Sequence, residues 1–187
     1  MAISARLKAL LDGANIKYTA AKHPAVYTAQ EIAAAQHVPG RQLAKCVLVI
    51  TDRGPALAVL SAIARVDLKR LKALLGAKTL SIGKEADIKR AFPDIEVGAM
   101  SPFGNVYGVP VAADRTLGES EEIVFNAGSH TDTIKMRYRD FAALVKPKTG
   151  AFGEYPKGKK APSAKKKKAR TGKKRAAAKK RAATTRR

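Results

Sequence analysis

The stretch Ala44-Lys45-Cys46-Val47-Leu48-Val49-Ile50-Thr51-Asp52-Arg53-Gly54-Pro55-Ala56-Leu57-Ala58-Val59-Leu60-Ser61 decides the fold class. Lys45 to Ile50 and Ala56 to Ser61 are β-rich runs, and Thr51-Asp52-Arg53-Gly54 between them supplies turn chemistry. Together they predict an antiparallel hairpin. Both runs are strand-length, far short of a membrane span, and charges recur along the chain. No segment reads as a secretory signal, so a soluble, cytoplasmic protein is expected. Within the first run, period-two alternation places Lys45 on one face with Val47 and Val49, and Cys46 on the other. A lysine there either snorkels its amine from the sheet edge or is a cation fixed near the core. In the second case it suits a carboxylate, a phosphate or a carbonyl oxygen.

N-terminal to the hairpin, Leu7, Leu10, Leu11 and Ala14 recur at helical spacing and predict an amphipathic helix ending near Gly13. An extended stretch, Ile16 to Ala20, follows. Thr28-Ala29-Gln30-Glu31 then forms a capping box for a helix running to about His37. The Thr28 hydroxyl accepts from an early amide while the Glu31 carboxylate reaches back to the Thr28 N–H. Beyond the hairpin, Leu68, Leu71, Leu74 and Leu75 give an apolar helical face, with Asp67 as N-cap and Gly76 as the stop. A short strand, Thr79 to Ile82, and a helix from about Lys84 to Ala91 precede Pro93. Val109 to Ala113, Glu122 to Asn126 and Thr133 to Met136 read as strands, and Tyr138 to Val145 as the last helix. Several connections are too short for parallel crossovers. The fold class is therefore α+β, with a mixed, strongly twisted, barrel-like sheet flanked by helices.

The 187 residues carry a formal net charge of +22, placed unevenly. Residues 146–187 hold 18 Lys and Arg against the single acid Glu154, whereas residues 1–145 hold 19 against 14 acids. The chain thus divides into a mildly basic domain, residues 1–146, and a tail, residues 147–187, that cannot bury a core and is expected to be disordered. Its clusters Lys165-Lys166-Lys167-Lys168, Lys173-Lys174-Arg175 and Lys179-Lys180-Arg181 suit the regular charge of nucleic acid, where neutralised phosphates release counterions. Aromatics stop at Phe152 and Tyr155, so base stacking is not the tail's mode. A solubilising role, an anionic-membrane contact and a targeting signal are its other readings.

Cys46 is the only cysteine, so neither an intrachain disulfide nor a thiolate zinc cluster is available. A Walker loop, a His-Glu-x-x-His motif and a Gly-x-Ser-x-Gly elbow are all missing, which sets aside the common nucleotide, zinc and serine-hydrolase classes. Of His23, His37 and His130, the last follows Gly128-Ser129 after a strand and is best placed to reach a cleft; a surface or structural role is its alternative. Gly98-Ala99-Met100-Ser101-Pro102-Phe103-Gly104 is either a connecting turn or a loop that presents backbone. Gly98 and Gly104 tolerate positive φ, and Pro102 biases Ser101 towards extended geometry. Free amides there would bind a phosphate, a carboxylate or a developing oxyanion.

Four segments in this order resemble the YbaK/ProX aminoacyl-tRNA deacylase family, the editing domains associated with prolyl-tRNA synthetase. They are Ala44 to Val49, Leu57 to Ala62 with Arg65-Val66-Asp67-Leu68, Gly98 to Gly104, and Asn126-Ala127-Gly128-Ser129-His130. The similarity covers roughly residues 5–146, including Tyr27-Thr28-Ala29-Gln30-Glu31; the tail has no counterpart. The resemblance implies hydrolysis of the ester joining a wrong amino acid to the terminal adenosine of a tRNA, without metal or cofactor. In the family, the lysine matching Lys45 and the loop matching Gly98, Ala99, Met100, Ser101 and Pro102 form the site. A histidine at the position of His130 occurs in members resembling the alanyl-tRNA(Pro) deacylases. Gly128 and Tyr27 join the expected substrate-binding positions. Cys46 departs from the asparagine expected in that subgroup.

On this resemblance Lys45 anchors the acylated 3′ end or its carbonyl, and loop amides stabilise the tetrahedral oxyanion. Water attacks, positioned by His130 or by the terminal ribose hydroxyl. Cys46 is disfavoured as nucleophile because alternation turns it away from Lys45. The expected partners are a mischarged tRNA, held by its acceptor end, and prolyl-tRNA synthetase or an elongation factor, with no membrane. Alternatives are a deacylase for Cys-tRNA(Pro) or another mischarged tRNA, a hydrolase of small acylated compounds, and a non-enzymatic, nucleoid-associated nucleic-acid-binding protein on a degenerate deacylase fold.

Overall fold

A computed structural model describes residues 3–25, 28–35 and 37–156; Tyr27 and the basic clusters between Lys165 and Arg181 lie outside the described residues. The elements are α1 (Ala5–Gly13), β1 (Tyr18–Lys22), α2 (Ala29–Ala35), β2 (Ala44–Thr51), β3 (Gly54–Ser61), β4 (Arg65–Val66), α3 (Leu68–Leu75), β5 (Leu80–Ile82), α4 (Glu85–Ala91), β6 (Val111–Asp114), β7 (Glu122–Asn126), β8 (Asp132–Arg137), α5 (Tyr138–Val145), β9 (Lys148–Gly150) and β10 (Gly153–Glu154). Short 3-10 turns cover Gly104–Tyr107 and Arg115–Glu119.

The hairpin forms as its sequence requires. β2 and β3 pair antiparallel from Ala44–Ser61 to Thr51–Gly54, closing on Asp52-Arg53. Gly54 sits at φ 108°, a region costly for any residue with a Cβ. The Thr51 hydroxyl donates to the Gly54 carbonyl (2.9 Å), and the Asp52 carboxylate accepts from the Lys78 and Thr79 amides (2.7 and 3.3 Å). The turn therefore also pins the chain entering β5.

The hairpin is the centre of a five-stranded sheet ordered β5-β2-β3-β6-β9. β2 pairs antiparallel with β3 and β5, while β3–β6 and β6–β9 are parallel, so the sheet is mixed. Ala44, Leu48, Leu57 and Val59 enter the larger core with Leu7, Leu11, Phe103 and Phe125. Val49, Ala58 and Leu60 pack on the opposite face with Leu71 of α3. Burial on both faces is why β3 reads as a nearly continuous apolar run rather than an alternation.

A second sheet, β1-β8-β7, is antiparallel throughout. It joins the first at a single parallel bridge, Leu43 to Val124, with the Val124 amide donating to the Gln42 carbonyl (2.9 Å). The barrel-like closure expected from the strand density is thus not reached among the described residues. Two sheets meet at one bridge instead, and they part beyond it.

The helix signals hold. Thr28 and Glu31 make both capping-box bonds (3.0 and 3.2 Å), and the Asp67 carboxylate accepts from the Lys69 and Arg70 amides (2.9 and 3.0 Å). Gly76 ends α3 in the left-handed region. α2 stops at Ala35 rather than His37, which takes a positive φ of 51° that no right-handed helix accommodates.

The C-terminal boundary moves. Residues 147–156, read from composition as tail, carry β9 and β10 and place Phe152 in the core beside Leu71. The cause is Asp114, buried at 1% exposure. Its carboxylate accepts from the Phe152 and Gly153 amides (2.8 and 2.7 Å) and from the Thr116 amide and the Tyr155 hydroxyl (3.1 and 3.3 Å). Burial works to raise its pKa, but these bonds together with the Thr116 hydroxyl hold it below the ordinary carboxylate value. Among the described residues no helix is long and apolar enough to cross a membrane.

Candidate active site

The parting of the two sheets makes the cleft. The parallel bridge joins Leu43, just before β2, to Val124 of β7, and Lys45 and Asn126 each lie two residues further along their strands. A cavity of about 50 Å³ lies there. Its walls are Leu43 to Cys46 at the start of β2, Ile32 of α2, Asn126 at the end of β7, and Gly98 and Met100 from the loop after α4. Strands that diverge leave edges and side chains facing one another without a neighbour strand between them. Such a split can seat a ligand without dismantling the core.

Lys45 is half-buried, and its Nζ donates to the Ala62 carbonyl (3.2 Å). Burial and, after it, the positive charge of Arg65 lower its pKa. No salt bridge among the described residues engages Lys45 or Arg65. Two cations brought near each other with no carboxylate on either favour an anion or a polarised carbonyl arriving from outside.

The Gly98–Gly104 loop divides its residues between two tasks. Gly98 has φ 92°, and the Ala99 amide is consumed by the Glu96 carbonyl (2.9 Å) in the turn it closes. Among the described residues nothing accepts from the amides of Gly98, Met100 or Ser101. Gly98 and Met100 line the cavity; Ala99, Ser101 and Pro102 are buried and do not. Phe103 anchors the loop, its ring 5.6 Å from those of both Phe125 and Phe141.

His130 lies under this loop rather than in the cavity. Its Nε2–H donates to the Val97 carbonyl (2.9 Å), its backbone amide to the Glu96 carboxylate (2.8 Å), and a Cβ on Gly98 would stand 3.4 Å from its Cε1. Gly128, at φ 108°, accepts from the Glu96 amide through its carbonyl (3.1 Å). The turn carrying both is braced by Asp132, which accepts from the Ser129 and Thr131 hydroxyls (2.7 and 2.8 Å). Burial would raise the Asp132 pKa, but these bonds and the charge of Lys22 bring it below the usual value. His130 and Gly128 therefore hold Glu96 to Gly98 in place.

Cys46 packs towards the larger core and Val47 towards the second, as alternation requires. Cys46 nonetheless lines the cavity together with Lys45. Burial pushes the thiol pKa far up, so the sulfur stays protonated. Sequence reasoning assigned Asn126 no role of its own, although the structure sets it in the wall. Its signal was a polar side chain closing the apolar run Ile123-Val124-Phe125.

Residues 23–144 match the aminoacyl-tRNA editing domain family. No curated protein sequence matches the chain. Among solved structures, a protein described as a candidate trans-editing enzyme for prolyl-tRNA synthetase superposes with a TM-score of 0.70 at 21% identity, covering 80% of this chain and 95% of that one. The hypothetical protein APE2540 gives 0.73 at 14% identity, covering 80% and 99%. A candidate signal transduction protein from Marinobacter aquaeolei VT8 gives 0.62 at 18%, this chain spanning 31% of its length. At these identities the structural matches establish a shared fold.

Proposed function

The chain belongs to the aminoacyl-tRNA editing domain family and is an aminoacyl-tRNA deacylase, and from that premise we propose that it acts in trans on a tRNA carrying a small wrong amino acid, with alanine on tRNA(Pro) as the leading substrate. The observation that carries this reading is that Lys45, Gly98 and Met100 line one cavity of about 50 Å³, and that among the described residues nothing accepts from the Gly98 and Met100 amides. So small a cavity suits a small amino acid, and the description of one structural relative supplies the prolyl context.

In the proposed reaction Lys45 holds the acylated 3′ end and polarises its ester carbonyl. Water adds to the carbonyl carbon, the negative charge on oxygen is met by the Gly98 and Met100 amides, and collapse breaks the bond to the ribose oxygen, which leaves with the proton shed by the water. A single oxyanion donor is worth about 2.7–4 kcal/mol, so these groups suffice for a large rate effect without a protein nucleophile. The His130 Nε2 is occupied by the Val97 carbonyl, which leaves the terminal ribose hydroxyl to orient the water. The 16 Lys and Arg from residue 157 onward raise the local concentration of tRNA by charge alone, in keeping with a cytoplasmic protein that works on tRNA released by prolyl-tRNA synthetase or carried by an elongation factor.

The test is a panel of mischarged tRNAs with wild type and Lys45→Ala. Wild type is expected to release alanine from tRNA(Pro) fastest, and Lys45→Ala to abolish release while its circular dichroism stays native. Full activity in the variant would remove this mechanism, and preference for a larger amino acid would remove the substrate assignment.

A further inference from the structure

One polar side-chain atom in the cavity wall has no hydrogen-bond partner among the described residues. It is the buried Asn126 Oδ1, and Asn126 lines the cavity together with Lys45. An acceptor left unpaired away from water costs about 1–3 kcal/mol, so it persists where a ligand supplies the missing donor. Its backbone is fixed, since Asn126 pairs with Thr133 at the end of the β7–β8 ladder.

An aminoacyl ester brings two kinds of polar group to such a wall. Its carbonyl only accepts, and Lys45 and the Gly98 and Met100 amides only donate, so these match each other. Its α-amino group donates and needs an acceptor. Among the described residues no Asp or Glu lines the cavity, and Asn126 is the single lining residue with a side-chain carbonyl.

We propose that Asn126 accepts a hydrogen bond from the substrate's α-amino group through Oδ1, and so distinguishes aminoacyl from other acyl esters. This assignment rests on the deacylase reading above. A neutral amide suits a cavity shared with Lys45. A carboxylate in its place would pair with the lysine and withdraw that cation from the ester, whereas the amide carbonyl takes the amine and leaves Lys45 to the carbonyl oxygen.

The experiment compares two adenosine analogues, one bearing alanine through a 3′-amide and one bearing propionate through the same linkage, which lacks only the α-amino group. Binding is measured by calorimetry for wild type, Asn126→Ala and Asn126→Ser, alongside deacylation of alanyl- and propionyl-tRNA. Wild type is expected to prefer the alanyl analogue by about tenfold, the worth of one buried hydrogen bond. Asn126→Ala should bring the ratio close to one while leaving the propionyl affinity unchanged. Asn126→Ser, which keeps a smaller acceptor, should retain part of the preference and serves if the alanine variant does not fold. Equal binding of both analogues by wild type, or equal weakening of both in the variants, would overturn the assignment. If wild type hydrolysed no mischarged tRNA, the deacylase reading would fall by itself, and the analogue ratio would still decide the role of Asn126.

Discussion

Replacing Gly98 by Ala separates the loop's chemistry from its architecture. Gly98 holds φ 92°, and a Cβ added there would stand 3.4 Å from Cε1 and 3.8 Å from Nε2 of His130. Those are ordinary contacts, so the cost is backbone strain of about 1–3 kcal/mol rather than a clash. Relief of that strain means rotating the chain at Gly98, which moves its amide and the one that follows. If the Gly98 amide is an oxyanion donor, losing it removes about 2.7–4 kcal/mol of transition-state stabilisation, a 10²–10³-fold fall in the chemical step. Gly108→Ala supplies the control: φ there is 69°, and nothing lies within 4 Å of an added Cβ. It shares the strain without the cavity. Single-turnover release of the amino acid under saturating enzyme reads the chemistry, and urea unfolding reads the strain. The reasoning fails if Gly98→Ala keeps its single-turnover rate within about threefold of wild type, or if Gly108→Ala loses as much activity.

Asp114→Ala should destabilise the protein by about 2–5 kcal/mol in urea unfolding, because it strands the Phe152 and Gly153 amides. The Asp114 pKa is depressed in the folded state, so its contribution is complete above the unfolded value of about 3.9 and fades as pH falls through the folded one. The stability gap between wild type and variant should therefore narrow only below about pH 4, and a gap that instead closes near neutrality would contradict the assignment. Truncation after Pro156 should leave the melting temperature and the chemical step nearly unchanged. It should also flatten the salt dependence of tRNA binding, whose slope is about −3.5 to −4.5 in log K against log salt if five phosphates are engaged. An unchanged slope would assign the tail another task. Truncation after Lys146 should melt several degrees lower, since it also removes Phe152 from the core.

The hairpin, the capped helices and the mixed sheet were legible because each rests on local chemistry. Period-two apolar runs, the Thr28–Glu31 box and the Asp67 and Gly76 caps act within a few residues of themselves. What stayed hidden depends on distant partners. β9 and β10 look like the start of a charged tail until Asp114, some 40 residues earlier, supplies acceptors for the amides of Phe152 between them and Gly153 at the start of β10. The barrel-like sheet expected from so many strands is divided among three sheets, the two larger ones joined by the only isolated bridge among the described residues, Leu43 to Val124, and no pattern within either strand announces that. The candidate site divides in the same way. Lys45 was visible as a charge in an apolar run and Gly98 as a hinge in a loop. The bond from His130 Nε2 to the Val97 carbonyl, and the orphaned oxygen of Asn126, belong to the folded chain alone.

Cys46 shows why the cleft favours water over a covalent route. A thiol beside a lysine invites the reading of a nucleophile activated by its neighbour, and activation of that kind lowers a thiol's pKa. Here burial raises the Cys46 pKa, and the same burial lowers that of Lys45. The two therefore do not stabilise each other as thiolate and ammonium; each is held in a setting that penalises its charged form. For the lysine this penalty lifts when an anion or a polarised oxygen enters, since the incoming group supplies the countercharge that the protein withholds. For the thiol nothing in the substrate does the same, because the ester and the phosphates beyond it would repel a second negative charge. The cleft is thus poised to meet negative charge that arrives on the substrate or develops on the ester oxygen, not to generate it on the protein. That asymmetry is in keeping with the proposed reaction, in which water attacks directly and Lys45 and the loop amides receive the oxyanion.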